Sequence, residues 1–231
     1  MLDVTESITD MEVLNALSGF IMNEPQKIYV VDLETTCSNP NKAEVLQCSI
    51  IDGNGNTVFD EYFRPIDFTE WPKAQAVNNI SPRDVKDCTS IIPYVEKINR
   101  IMSECALVIT YNGNHFDLKI LKGYGVSTTD EKYHLDICQD YAKYNGEIFE
   151  GNDVSIKFRL KKLLECYETL KNKANEAKSI PFLKGLLSQL EEKLAKASLH
   201  NSKDDCLVTL YCFYIMYYLH LMDAKEKFRK E

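Results

Sequence analysis

No Cys-x-x-Cys pair occurs in this sequence, although its 231 residues include eight cysteines. That absence argues against zinc ribbons and fingers, whose ligands come in closely spaced pairs. Cys48 in LQCSII, Cys105 in ECALVI and Cys212 in LYCFYIM lie inside apolar runs. They read as reduced core thiols, which implies a cytoplasmic protein. Positive charge is also scarce. There are 27 Lys and Arg against 35 Asp and Glu, a formal net charge of −8. Such a chain is not built to coat duplex DNA by charge, which takes many cations at phosphates. It can still hold a short strand end through metal ions and a local basic strip. Acids at positions 3 and 6, and no basic run before them, predict no secretory signal. The longest apolar stretch, CLVTLYCFYIMYYLHLM, is interrupted by polar residues and rich in Tyr. It predicts a buried helix and no membrane association.

Hydrophobic residues make up 45% of the chain, enough for a sizeable core. Residues 1–25 carry a weak helical period (Met11, Val13, Leu14, Leu17, Phe20, Ile21) and read as an N-terminal arm or helix. After Pro25 come three strand patterns: KIYVVDL, AEVLQCSIID and, past the turn GNGN, TVFDEYFRP. Their short connections predict an antiparallel meander. The stretch IDFTEWPKAQAVNNISPRDVKD reads as loop. Helix-period and strand patterns then alternate: SIIPYVEKINRIMS, CALVITYN, NHFDLKILKGYG, YHLDIC and QDYAKYN. The sum is an α/β domain on a mixed five-stranded sheet flanked by helices, spanning residues 26–221. Residues 171–197, broken at Pro181, read as a helical insertion, and 222–231 as a charged tail.

Three segments carry candidate chemistry. The first strand ends in Asp32 and Glu34. Residues i and i+2 of a strand share a face, and two adjacent carboxylates repel unless a cation lies between them. Acids also end strands for no reason beyond reaching solvent. In YNGNHFDLKIL, a strand ending at Tyr111 leads to a helix from about Asn114, with Asp117 in its first turns. An acid there also suits the helix dipole. In SLHNSKDDCLVTL, His200 and Asp205 are five apart, about 140° apart if both lay on one helix. They converge only if His200 precedes the helix, which Asn201 or Ser202 as N-cap allows. An ordinary surface histidine is the plainer alternative. Together the segments supply four carboxylates and an imidazole. That set fits two divalent ions about 4 Å apart acting on a phosphodiester, with a histidine to take a proton from water.

In this order the motifs VVDLETT, YNGNHFDLKIL and HNSKDDC resemble those of the DEDDh 3′→5′ exonucleases, the superfamily of proofreading epsilon subunits, RNase T and oligoribonuclease. AQAVNNISPRDVKD and YHLDICQDYAKY also resemble segments of that superfamily. The likeness covers about residues 26–168 and 197–221. It implies a ribonuclease-H-like fold. It implies that Asp32, Glu34 and Asp205 ligate one ion, with Asp32 bridging to a second on which Asp117 acts. The ions would be Mg²⁺ or Mn²⁺, and His200 the general base. Thr35, Thr36, Asn112 and Phe116 would line the pocket for the 3′-terminal nucleotide. The implied substrate is a single-stranded nucleic-acid end, DNA before RNA, with a polymerase as a possible partner. A non-catalytic nucleic-acid-binding module is the alternative of a different class.

Two positions depart from the superfamily's habit. Ser202 stands two after the histidine, where a small apolar residue is frequent. Cys206 stands after the last acid, where Ala is frequent. Asp204 is a rival of Asp205, but the spacing from His200 favours Asp205. His115 reads as a surface residue at a helix start, and His134 and His220 as structural. Tyr62 and Trp71 have the chemistry to stack on bases, with core packing expected for each. Lys171, Lys173, Lys178 and Lys184 of the insertion, and the strip Lys157, Arg159, Lys161 and Lys162, read either as solvated faces or as phosphate contacts.

Overall fold

A computed structural model of the chain describes residues 2–4, 8–127, 133–145, 163–197 and 201–230. His200 and the strip Lys157, Arg159, Lys161 and Lys162 lie outside the described residues. The strands are β1 (Leu2–Asp3), β2 (Ile28–Thr35), β3 (Val45–Asp52), β4 (Thr57–Tyr62), β5 (Leu107–Thr110) and β6 (Tyr133–Asp136). The helices on the first part of the chain are α1 (Met11–Asn23), α2 (Pro72–Asn78), α3 (Pro82–Val85), α4 (Val95–Glu104), α5 (Asp117–Gly123) and α6 (Ile137–Tyr144). They are followed by α7 (Leu163–Lys171), α8 (Ala174–Ala177), α9 (Pro181–Leu194) and α10 (Ser202–Lys230).

One sheet runs β1-β6-β5-β2-β3-β4. Strands β2, β3 and β4 form the expected antiparallel meander, and β5 and β6 add to it in parallel. These are the five strands expected from sequence. The two-residue β1 adds a sixth at the edge, parallel to β6. Residues 66–87 are not all loop. Pro at the first helical position opens both α2 and α3 there, where its missing N–H costs nothing. Asp117 is the first residue of α5, so that helix starts three residues later than its apolar period implies.

The strand period sorts β2 between two cores. Ile28 and Val30 pack into the layer formed by α1, α6, α7, α9 and α10. Tyr29, Val31 and Leu33 pack into the layer formed by α4 and α5. Two further steps along the first face bring Asp32 and Glu34 onto the side of the sheet that α10 covers. By length and composition α10 would pass for a membrane span, yet 83% of its most apolar window is buried in the fold. Its tyrosines are amphipathic fillers whose hydroxyls reach partners at the margin of the core. Tyr211 donates to Glu191 at 3.0 Å, Tyr214 to the Gly53 carbonyl, and Tyr217 shares a 2.6 Å bond with Ser18. The helix continues through 222–230, so these charged residues form its last turns.

The 171–197 segment is built into this core. Ala174, Ala177, Leu183, Leu187 and Leu190 are buried in the same cluster as α10. Lys193 closes the unit by donating to the carbonyls of Asn54 and Gly55 in the β3–β4 turn, at 3.1 and 2.6 Å. Gly55 has φ +71°, and a Cβ there would stand 2.8 Å from Leu190 Cδ2, so the turn and α9 meet without room for a side chain. Lys171, Lys173 and Lys178 pair with Glu168, Glu176 and Glu191. Those three lysines are therefore engaged within the helical unit. If α9 is part of the core, Leu187→Ala should lower unfolding stability by about 2–5 kcal/mol. Urea denaturation of the variant measures this, and a change under about 0.5 kcal/mol would mean the helix is a dispensable appendage.

Candidate active site

Asp32 and Glu34 are half-buried on β2, and Asp205 is half-buried in the first turns of α10. Each offers an oxygen lying within 4.8 Å of the others. This joins two parts of the chain that are about 170 residues apart in sequence. Asp204 is also half-buried but stands outside the triple. Asn201 acts as the cap of α10, its Oδ1 accepting from the Lys203 N–H at 3.2 Å. Ser202 is the first helical residue, so of the two N-cap candidates it is Asn201 that caps the helix. The Ser202 hydroxyl is used elsewhere, 2.6 Å from Ser49 Oγ.

Asp117 stands outside the triple and is almost fully buried, at 3% exposure. Its Oδ1 accepts from the Leu33 N–H at 3.0 Å, which fixes it against the strand between the two other acids. The preceding turn is tightly determined. A Cβ on Gly113 would lie 2.4 Å from the Thr110 side chain, so only glycine fits. Asn112 adopts φ +65°, a conformation that Asn tolerates better than most residues. Asp136, fully buried at the end of β6, accepts from the N–H groups of Asn112 (2.8 Å) and Asn114 (3.3 Å). It also accepts from the Cys138 and Gln139 N–H groups and so caps α6.

The other sequence candidates have defined surroundings. Thr35 Oγ1 donates to the Cys37 carbonyl, and Thr36 Oγ1 accepts from the Glu44 N–H, each at 3.0 Å. Both threonines are buried and shape the chain just after the acids. The Asn112 Oδ1 is enclosed with no hydrogen-bond partner among the described residues. Phe116 is half-buried against the α4–α5 core, and His115 is half-buried in the turn. His134 meets Thr110 Oγ1 at 2.9 Å and His220 meets Asp140 at 2.8 Å, both in buried structural contacts. Trp71 is core, its indole N–H bonded to the Ile80 carbonyl. Tyr62 differs from the packing expectation, being 40% exposed.

Sequence reasoning did not single out Asn78 or Asp136. Asn78 is buried, donates from Nδ2 to the Thr35 carbonyl at 3.3 Å, and favours the charged form of the Glu34 carboxylate. No local pattern marks it, because α2 and β2 meet only in the fold. Asp136 had a readable signal: an acid between a strand and a helix is a strong N-cap.

The electrostatics are those of crowded like charges. Burial, then Asp117, Asp205 and Glu34, holds the Asp32 carboxyl well above the usual range. Burial and then Asp205 push Glu34 up to about 8, against the Asn78 hydrogen bond. Burial raises Asp117 to about 7, although backbone N–H groups favour its charged form. Oxygen-only carboxylate donors at this spacing suit a hard divalent cation. A raised acid pKa in the folded state stabilises the fold below the unfolded value near 4, and that stability is lost as pH rises toward 7–8. The metal-free protein should therefore melt at a lower temperature at pH 8 than at pH 5. Added Mg²⁺ should raise the melting temperature more at pH 8, because it competes with fewer protons. Scanning calorimetry with and without Mg²⁺ measures both, and equal Mg²⁺ effects at the two pH values would contradict this charge balance.

The sequence pattern of the exonuclease family to which RNase T gives its name matches residues 29–213. A comparison with curated proteins finds no match. Among solved structures, exonuclease X in complex with 5′-overhanging duplex DNA is similar at 16% identity and a TM-score of 0.52. That similarity covers 83% of this chain and 92% of that one. The zinc-bound form of the E. coli exonuclease I–ssDNA complex is similar at 15% identity and a TM-score of 0.52, over 81% of this chain and 39% of that one. Against apo exonuclease I the match spans 30% of that chain's length. The likenesses to exonuclease X and to the exonuclease I–ssDNA complex agree on an α/β, ribonuclease-H-like fold. With its matched pattern extending over most of its length, the chain belongs to the exonuclease family.

Proposed function

We propose that this protein is a metal-dependent 3′→5′ exonuclease that releases nucleoside monophosphates from single-stranded DNA ends. The observation that carries this is the meeting of Asp32, Glu34 and Asp205 within 4.8 Å on a fold that has no structural need for three half-buried acids there. Mg²⁺ or Mn²⁺, in a pair, would polarise the phosphodiester and stabilise charge on the leaving oxygen. Asp32, Glu34 and Asp205 would hold them, with Asp117 alongside. Thr35, Thr36, Asn112 and Phe116 would orient the terminal nucleotide. His200, on the segment entering α10, would take the proton of the attacking water. The DNA preference draws on the similar structures, which hold single-stranded DNA in exonuclease I and 5′-overhanging duplex in exonuclease X.

The test is a cleavage ladder on 5′-labelled single-stranded DNA and RNA of one sequence, in Mg²⁺ or Mn²⁺. A stepwise ladder on DNA that vanishes in Asp32→Ala is the expected outcome. A ladder on RNA alone moves the substrate to RNA, and no ladder on either removes the enzymatic reading. His200→Ala should bind metal as the wild type does and turn over roughly 10²–10⁴-fold more slowly. Full activity of that variant would remove His200 from the role of base.

A further inference from the structure

Three consecutive residues at the entrance to α10 are each tied to a side chain of β3 or β4. Asn201 Nδ2 donates to Tyr62 Oη at 3.0 Å. Ser202 meets Ser49 Oγ at 2.6 Å, and its N–H donates to Gln47 Oε1 at 3.4 Å. Lys203 pairs with Asp60 Oδ2 at 3.4 Å. The contacts converge on one carboxylate, since Asp60 Oδ1 accepts from Gln47 Nε2 at 2.8 Å and from Ser49 Oγ at 2.9 Å. Ser49 has one hydroxyl proton and spends it on Asp60, so Ser202 must donate to Ser49. The bonds then run in one direction, from Ser202 through Ser49 to the carboxylate, which strengthens each of them.

Strand register explains why these groups lie together. Asp32 of β2 is opposite Ser49 of β3, which is opposite Asp60 of β4. Glu34 is opposite Gln47, which is opposite Tyr62. Two polar rows therefore cross the sheet from the metal-binding acids to its outer edge. Gln47, Ser49 and Ser202 are completely buried, a costly setting for polar side chains unless every group is satisfied.

We propose that Asp60 is a positioning residue for the acid cluster. Through Ser49 and Gln47 it sets the placement of Ser202, and with it Asp205 three residues further along α10, against Asp32 and Glu34. The proposal rests on reading that cluster as a metal site. The ion pair with Lys203 is the lesser part, because both partners are partly exposed and such pairs contribute little.

Mn²⁺ binding followed by electron paramagnetic resonance tests this, together with cleavage kinetics and thermal melting, on Asp60→Ala, Asp60→Asn and Ser202→Ala. Asp60→Ala should weaken Mn²⁺ binding by about 10-fold or more. It should lower kcat and leave KM for the labelled strand unchanged. Asp60→Asn keeps an acceptor toward Gln47 and Ser49 and should restore most of the loss. Ser202→Ala cuts the same chain of bonds with Asp60 in place, and should weaken Mn²⁺ binding even if Asp60→Ala fails to fold. Wild-type Mn²⁺ affinity in a folded Asp60→Ala protein, or equal damage in Asp60→Asn and Asp60→Ala, would overturn the proposal. If the wild type binds Mn²⁺ but cuts no strand, the exonuclease reading falls and the Mn²⁺ comparison still decides the role of Asp60. If the wild type binds no Mn²⁺, the proposal falls with the metal site.

Discussion

Four carboxylates crowd into a half-buried space, and their mutual repulsion is the constraint that the surrounding structure answers. Asp32, Glu34 and Asp205 approach within 4.8 Å, and Asp117 is buried beside them. Burial and like charge together push Glu34 to about 8, and burial raises Asp117 to about 7. Left to itself such a group would splay or stay protonated. The protein supplies partial compensation through fixed dipoles. The Leu33 N–H points at Asp117, the Asn78 side chain favours the charged form of Glu34, and Asp205 lies in the first turns of a long helix, near its positive end. A divalent cation would supply the remainder, and oxygen-only donors at this spacing suit one.

Holding repelling groups together requires rigid supports, and these come from different layers of the fold. The central strand presents two acids by simple alternation. A glycine turn with no room for a Cβ, clamped by the buried Asp136, delivers Asp117. The entrance to α10 is bound to β3 and β4 through a polar network that continues the rows of Asp32 and Glu34 across the sheet. Three separate devices thus place the four acids, and none is a loop alone.

The helix that carries Asp205 is long, and its middle matters as much as its start. Tyr211, Tyr214 and Tyr217 bury their rings and keep their hydroxyls bonded to Glu191, Gly53 and Ser18. Those partners lie on α9, the β3–β4 turn and α1. The helical segment at 171–197 is accordingly a brace for α10, with Lys173 and Lys178 in ion pairs and Lys193 on the β3–β4 turn.

Much of this was legible in the residues. Alternation in IYVVDLETT, the turn GNGN and the change of period after residue 90 follow from local geometry, so the five strands and their succession along the chain could be read directly. So could the ordered appearance of Asp32, Glu34, Asp117 and Asp205, because strand and helix periods act over a few residues. The two short helices at 72–85 escaped because prolines and polar residues there suit loops and first helical turns alike. Strand β1 escaped because two residues carry no period. Asn78, Asp60 and the bond between Ser49 and Ser202 were beyond local reasoning, since each pairs with a group more than ten residues away. The sequence by itself determined which chemistry was available, as the identity and order of the acids, and which way each local segment would fold. Only the tertiary structure decided that three of those acids share one point in space, because that depends on strand register and on where one buried helix meets the sheet.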